Sequence, residues 1–192
     1  AAERFNEFLK VSNAQLQSTK LLLENLVEWG RIQLQEQVLV PAPISLKDEV
    51  QKVFTELTVQ VNLKHNRLVN LVPEEVMVAM EEHTLRFVLR NLVTNANKFT
   101  DGGAITVDGL HTGKKIVIRV IDTGIGMPAN MSQRLFLNKE KFSRRGTQNE
   151  SGSGLGLILI KEFIDKAGGT IRVESTEGKG CSFIIELPAG NA

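Results

Sequence analysis

Arg90-Asn91-Leu92-Val93-Thr94-Asn95-Ala96-Asn97-Lys98-Phe99-Thr100 carries two periodicities at once. Read as a helix with the residues before it, Leu85, Val88, Leu89, Leu92 and Ala96 recur at the three- and four-residue steps that line up one apolar stripe. Asn91, Asn95 and Lys98 recur at the same steps about a third of a turn further round, so two amides and one ammonium border that stripe. The apolar stripe predicts a helix set into a core. The polar stripe has two readings, a solvated face or a ligand site. Amide oxygens suit a hard divalent cation that keeps several waters and a lysine suits a phosphate, so the chemical reading is a metal–phosphate ligand.

Downstream, Asp101-Gly102-Gly103 predicts a turn, and residues 104–110 and 115–122 a hairpin through His111-Thr112-Gly113-Lys114. Residues 129–152 are polar and carry Lys139, Lys141, Arg144 and Arg145 with little periodicity. A loop of that length in a compact domain is a functional lid or a disordered segment. Helix returns at 154–167, with Leu155, Leu157, Ile158, Ile160 and Ile164 assigned to its buried side, and Gly168-Gly169 ends it. Strands at 170–174 and 182–187 close the chain around Glu177-Gly178-Lys179-Gly180.

Upstream, Ser45-Leu46-Lys47-Asp48 fits a capping box, and Leu46, Val50, Val53, Phe54 and Leu57 carry an amphipathic helix to about residue 58. The apolar, β-branched stretches 59–63 and 76–80 predict two short strands. Pro41-Ala42-Pro43 forces an extended connection, since proline lacks an amide donor and disfavours helix in the residue before it. Residues 1–38 then form one long helix, 39–44 a linker, and 45–192 a domain. On that helix Phe5, Leu9, Leu16 and Leu23, thickened by Leu22, Leu26 and Trp29, make a seam suited to a partner helix from another copy or from sequence outside this stretch. The competing outcome is that it folds back on its own domain. Helices and strands mix without the alternation of a doubly wound sheet, which predicts an α+β two-layer sandwich with helices on one face of a mixed sheet.

Composition narrows the function. The 192 residues hold 23 Lys and Arg against 22 Asp and Glu, a net charge of +1, so no general excess of positive charge is available to displace counterions from a nucleic acid. The lone Cys181 rules out an internal disulfide or a multi-thiolate metal site and suits a reducing compartment. No apolar run reaches membrane-spanning length and no signal-peptide pattern opens the sequence, so a cytoplasmic location is expected, with membrane attachment only through parts outside this stretch.

Two glycine-rich boxes add to the polar stripe. Asp122-Thr123-Gly124-Ile125-Gly126-Met127-Pro128 follows the strongest strand pattern, Ile116-Val117-Ile118-Arg119-Val120-Ile121. A carboxylate at a strand end, followed by glycines that let backbone approach a planar ligand, can seat a purine amine or be an ordinary Asx-Gly turn. Gly152-Ser153-Gly154-Leu155-Gly156-Leu157 opens a helix, where free amides and the dipole favour phosphate. Its spacing matches neither the dinucleotide fingerprint nor the P-loop.

The order of these boxes resembles the ATP-binding catalytic domain of two-component sensor histidine kinases, within the gyrase, heat-shock chaperone, histidine kinase and mismatch-repair ATPase superfamily, with its Bergerat-type sandwich. The similarity runs from about residue 45 to 188 and takes in Asn91 to Thr100, the Asp122 and Gly154 boxes and Gly180-Cys181-Ser182-Phe183. Leu22-Leu23-Glu24-Asn25-Leu26-Val27-Glu28-Trp29 resembles the second helix of that family's dimerisation and phosphotransfer hairpin. The resemblance implies that Asp122 accepts the adenine amine, with Gly124, Ile125 and Gly126 shaping the base pocket, and that Asn95 and Asn91 hold Mg²⁺ while Lys98 meets the phosphates. It implies that Gly152, Gly154, Leu155, Gly156 and Leu157 wrap the triphosphate under a lid, in which Phe136 or Phe142 is the lid phenylalanine and Arg144 or Arg145 meets the γ-phosphate. Asn95 and Lys98 are then the catalytic pair. It further implies ATP and Mg²⁺ as cofactors, a homodimer through the N-terminal helix in the full-length protein, and a response regulator as partner.

Asn91 separates subclasses, because the superfamily's water-splitting members resemble one another in having Glu there and an amide cannot draw a proton from water. Transfer to a protein side chain is therefore expected over hydrolysis. The family's acceptor histidine has no match: His65, His83 and His111 all lie within 45–192 and read as ordinary surface or partly buried residues, so this stretch is expected to be inactive in cis. Cys181 stands where the family often has Thr or Ser, and Glu81 where Asp is common. An ATP-gated binding module without transfer and an anti-sigma-type serine kinase are the alternatives, the latter disfavoured by the long seam helix.

Overall fold

Ser45 caps the first helix as its sequence predicts, its hydroxyl accepting from Asp48 N at 3.2 Å. The computed structural model describes residues 43–136, 144–148, 150 and 154–189, together with Ser12, Leu16, Thr19, Leu23, Leu26, Val27 and Gly30. Those seven are helical, and Leu16, Leu23, Leu26 and Val27 are exposed. The other seam residues lie outside the described set.

Helix α1 runs Leu46–Asn62, burying Leu46, Val50, Val53, Phe54, Leu57 and Val61. It takes in most of the strand predicted at 59–63, and Leu63 is its cap. Val61 falls four residues after Leu57 and continues the buried stripe, whereas Val59 and Leu63 are exposed. Extending an existing helix adds one hydrogen bond per residue, and that outweighs the weak strand preference of two valines. The predicted strand at 76–80 shrinks to β3, Met77–Val78, paired antiparallel with β1, Ile44–Ser45. A strand the sequence reading lacked, β2 at Arg67–Asn70, lies parallel to β4, Ala104–Thr112. Four residues are too few for periodicity to reveal.

β4, β5 (Lys115–Asp122), β6 (Thr170–Thr176) and β7 (Gly180–Pro188) complete a five-stranded sheet in the order β2-β4-β5-β7-β6, antiparallel except at β2 and β4. Ile105 and Val107 of β4, Ile116, Ile118 and Val120 of β5, and Phe183, Ile185 and Leu187 of β7 point into the core at every second residue. On the outward side the ion pairs Lys115–Glu186 at 2.8 Å and Arg119–Asp108 at 2.7 Å tie neighbouring strands.

α1, α2 (Glu82–Phe99) and α4 (Gly156–Lys166) cover the other face, which gives the predicted α+β sandwich. Leu85, Val88, Leu89, Leu92 and Ala96 are all buried. Glu81 caps α2 in the aspartate role, accepting from Thr84 N at 2.8 Å. Phe87 of α2 meets Phe163 of α4 edge-on at 5.2 Å, a geometry worth about 0.5–1.5 kcal/mol beyond the area it buries. On α4 the buried residues are Leu159, Ile160, Phe163 and Ile164, while Leu155, Leu157 and Ile158 are only half-buried. A six-residue helix, α3 (Ala129–Arg134), interrupts the stretch predicted as loop.

Candidate functional site

Period two along β5 places Asp122 on the same face as Ile116, Ile118 and Val120, so its carboxylate ends the strand inside the core edge and is buried. Its cross-strand neighbour on β7 is Cys181. Burial pushes the Asp122 carboxyl up to about 6, against the lowering effect of the Gly124 and Cys181 amides and the Thr100 hydroxyl. The Gly124 amide donates to Asp122 Oδ1 at 2.9 Å. Thr100 Oγ1 sits beside this group, 2.7 Å from where a Gly124 Cβ would be, and is buried without a hydrogen bond of normal geometry to a described residue. A buried acceptor next to an unsatisfied hydroxyl fits a planar ligand that brings its own amine.

The free carbonyls at the C-terminal end of α2 dock the loops. Ile125 N donates to Phe99 O at 3.0 Å, and Thr147 N to Lys98 O at 3.0 Å. The Asp122 loop therefore lies on the last turn of α2, one turn beyond Asn95. Gly126 takes φ of +60° and packs on the Thr176 carbonyl, leaving no room for a side chain. Its own carbonyl accepts from Arg144 at 3.1 Å.

The other end of the stripe meets α4. Asn91 is buried, donates Nδ2 to Phe87 O at 2.9 Å and turns Oδ1 toward Gly156, where a Cβ would stand 2.7 Å away. Gly154, at φ +69°, precedes that helix start. Asn95 and Lys98 are half-buried. Burial draws the Lys98 ammonium below its ordinary range, with Glu150 opposing and Lys64 reinforcing the shift. Asn91, Asn95, Lys98, Asp122, Gly124, Ile125, Gly126, Arg144, Gly154, Leu155, Gly156 and Leu157 thus lie along one side of α2 and at the ends of the two elements packed on it.

Phe136 is half-buried and edge-on to Phe183 of β7 at 6.4 Å. Arg145 is exposed, and Phe142 and Gly152 lie outside the described residues. For a cation the available oxygens are the neutral amides of Asn91 and Asn95, since the described residues hold no cluster of three or more His, Cys, Asp or Glu suited to a metal. That donor set suits Mg²⁺ sharing its shell with phosphate and water. A separate groove of about 330 Å³, lined by Leu23, Val27, Glu56, His83, Arg86, Phe87 and Arg90, contains none of these residues.

Residues 80–191 match the family described as histidine kinase-, DNA gyrase B- and HSP90-like ATPase, more than half of the chain. The chain belongs to that family. Among curated relatives of this ATPase domain, the sensor protein GacS of Pseudomonas syringae pv. syringae is 32% identical over 86% of the chain, and the sensor histidine kinase YclK of Bacillus subtilis 30% identical over 94%. The chain spans 19% of the first protein's length and 38% of the second's. The catalytic domain of histidine kinase ThkA superposes with a TM-score of 0.66 at 26% identity, covering 77% of this chain and 94% of that one. ThkA in complex with response regulator protein TrrA superposes at 0.74 with 20% identity, covering 98% of this chain and 52% of that one. The relatives are sensor histidine kinases, and the sandwich is that of their ATPase domains. No helix among the described residues is long and apolar enough to cross a membrane.

Three residues of this candidate site escaped the sequence reading. Thr100 closes the helical motif, but its burial beside Asp122 follows from the loop docking on Phe99. Glu150 and Lys64 sit in a polar stretch and in a turn, where charged residues read as solvated surface, and nothing local marks them as partners.

Proposed function

We propose that this domain binds magnesium-ATP between α2, the Asp122 loop and the start of α4, and transfers its γ-phosphate to a histidine on a dimerisation hairpin in two-component signalling. The observation that carries the reading is the buried Asp122 carboxylate at the strand end, on a loop that docks onto the helix bearing Asn91, Asn95 and Lys98. Asp122 accepts the adenine amine, Gly124 and Gly126 keep the backbone close to the base, Asn95 with Asn91 holds the cation, and Lys98 neutralises phosphate charge. The bound nucleotide supplies the phosphoryl group and the metal draws its oxygens together; the protein's part in such transfer is chiefly positioning and charge stabilisation. Asn91 supports transfer over hydrolysis, since its amide Nδ2 is committed to the Phe87 carbonyl and it has no base to offer water.

The acceptor comes from sequence beyond these residues: His65, His83 and His111 are all exposed, and none lies on the N-terminal helix. The exposed Leu16, Leu23 and Leu26 support homodimerisation through that helix in the full-length protein, which works on the cytoplasmic side with a response regulator. The test is phosphate incorporation from ATP in a longer chain that includes the first hairpin helix. Acid-labile phosphate on its histidine is expected, and Asn95→Ala should abolish it. Nucleotide binding with no transfer to a supplied hairpin would instead identify an ATP-gated binding module.

A further inference from the structure

A second lysine stands behind Lys98. Lys64, just past the end of α1, is buried, and its ammonium donates to Lys98 O at 3.0 Å, Thr147 Oγ1 at 2.6 Å and Glu150 Oε1 at 2.7 Å. Each of its three N–H bonds therefore has an acceptor. Lys98 O also accepts from Thr147 N, and Gly146 lies so close that a Cβ would come 2.6 Å from Lys98 Cγ. Gly146 N donates to Glu150 O at 3.0 Å, and Gln148 N to Glu150 Oε2 at 2.8 Å. The strap formed by residues 146–148 and Glu150 is thus wrapped against the last turn of α2, with a single carboxylate near two ammoniums. Lys64 alone of the two makes a hydrogen bond to it.

We propose that Lys64 is a positioning residue for phosphate binding: by holding the Glu150 carboxylate to itself it leaves the Lys98 ammonium free to meet the phosphates. The proposal rests on the reading that Lys98 contacts the triphosphate. An ammonium beside an unpaired carboxylate takes it as counter-ion, and a phosphate must then displace it. Lys64 wins the carboxylate because it is the more deeply buried and because two further acceptors fix its geometry. With Lys64 present, two cations and one anion leave a net positive charge facing the ligand; without it that charge vanishes. Both partners are felt at the Lys98 ammonium, Glu150 raising it and Lys64 lowering it, beneath the larger effect of burial.

Calorimetric titration of the full chain with a non-hydrolysable ATP analogue plus magnesium, and with adenosine, tests this. Lys64→Met is expected to weaken the analogue about tenfold and adenosine by less than about twofold. The double variant Lys64→Met/Glu150→Gln is expected to recover the analogue to within about threefold of wild type, because the competing anion goes with its captor. A strap that is only a clasp predicts the reverse, as the double variant removes both of its halves. An unchanged analogue affinity in Lys64→Met, or a double variant no better than the single, overturns the proposal. Should Lys64→Met fail to fold, Glu150→Gln alone decides: affinity equal to or above wild type supports the charge role, and a loss rejects it. Wild-type protein that binds neither analogue nor adenosine removes the nucleotide reading itself, and this one with it.

Discussion

Asp122 is the residue on which the site turns, and its chemistry is a consequence of strand register. A carboxylate placed inward costs desolvation, which its position at the strand end and two backbone donors only partly offset. Truncation by Asp122→Ala should weaken adenine-nucleotide binding about 10- to 100-fold, the worth of a charge-assisted hydrogen bond, measurable by titration. Protonation should act the same way. With its carboxyl pushed up to about 6, affinity for nucleotide should fall as pH drops from 7.5 to 5. The nucleotide-free domain should respond oppositely at this group. The folded state holds its proton more tightly than the unfolded chain, so the stabilisation is full below about pH 4 and is lost as pH rises through 6. Affinity that stays flat between pH 7.5 and 5 would contradict the assignment. Cys181 has a different fate: burial, then the neighbouring Asp122 carboxylate, push its thiol up to about 12, which leaves it a packed, inert side chain.

At the scale of elements, the packing of α2 on α4 brings the polar stripe to the glycine box. Gly156 is there because Asn91 Oδ1 and the helix start approach too closely for a Cβ. Gly156→Ala should therefore cost about 1–3 kcal/mol in chemical denaturation, the range for overpacking a tight contact. A change within about 0.5 kcal/mol would mean that α4 can back away without loss. The buried Asn66 works at the other end of α2. Its Nδ2 donates to Asn97 Oδ1 at 2.8 Å and Thr100 O at 2.9 Å, while its Oδ1 accepts from Gly103 N, so the helix end, the turn and β4 are held together. This buried amide fixes where Lys98 and Thr100 stand, yet in the sequence it is one more asparagine in a turn.

For the whole molecule, the exposed leucines of the N-terminal helix are the side chains through which the proposed dimer would form. Leu16, Leu23 and Leu26 are each more than 60% exposed, and removing such side chains from water is worth about 1.5–3 kcal/mol apiece. In the longer chain containing the whole hairpin, replacing Leu16 and Leu23 with Ser should shift the dimer to monomer, read by light scattering on size-exclusion. Neither leucine is among the residues assigned to the nucleotide, so the domain's nucleotide affinity should be unchanged. A dimer that survives both substitutions would place the interface elsewhere.

The α+β class, the helix cap at Ser45, the buried face of α2 and the order of the glycine boxes were all determined by sequence, because period, capping and glycine placement are local and repeat often enough to read. Residues 59–63 show the limit of that reading: two valines suggest a strand, and the stripe that Val61 continues from Leu57 makes the segment helix. The four-residue β2 and the two-residue β1 and β3 exist only because a partner strand supplies their hydrogen bonds. The same holds for the site. Asp122, Asn91 and Lys98 announced themselves by spacing, whereas Thr100's orphaned hydroxyl and the Lys64–Glu150 pair arise from chain segments more than 20 residues apart meeting at one helix end. No local pattern encodes that meeting, since it is decided by which carbonyls α2 leaves free and which loops can reach them.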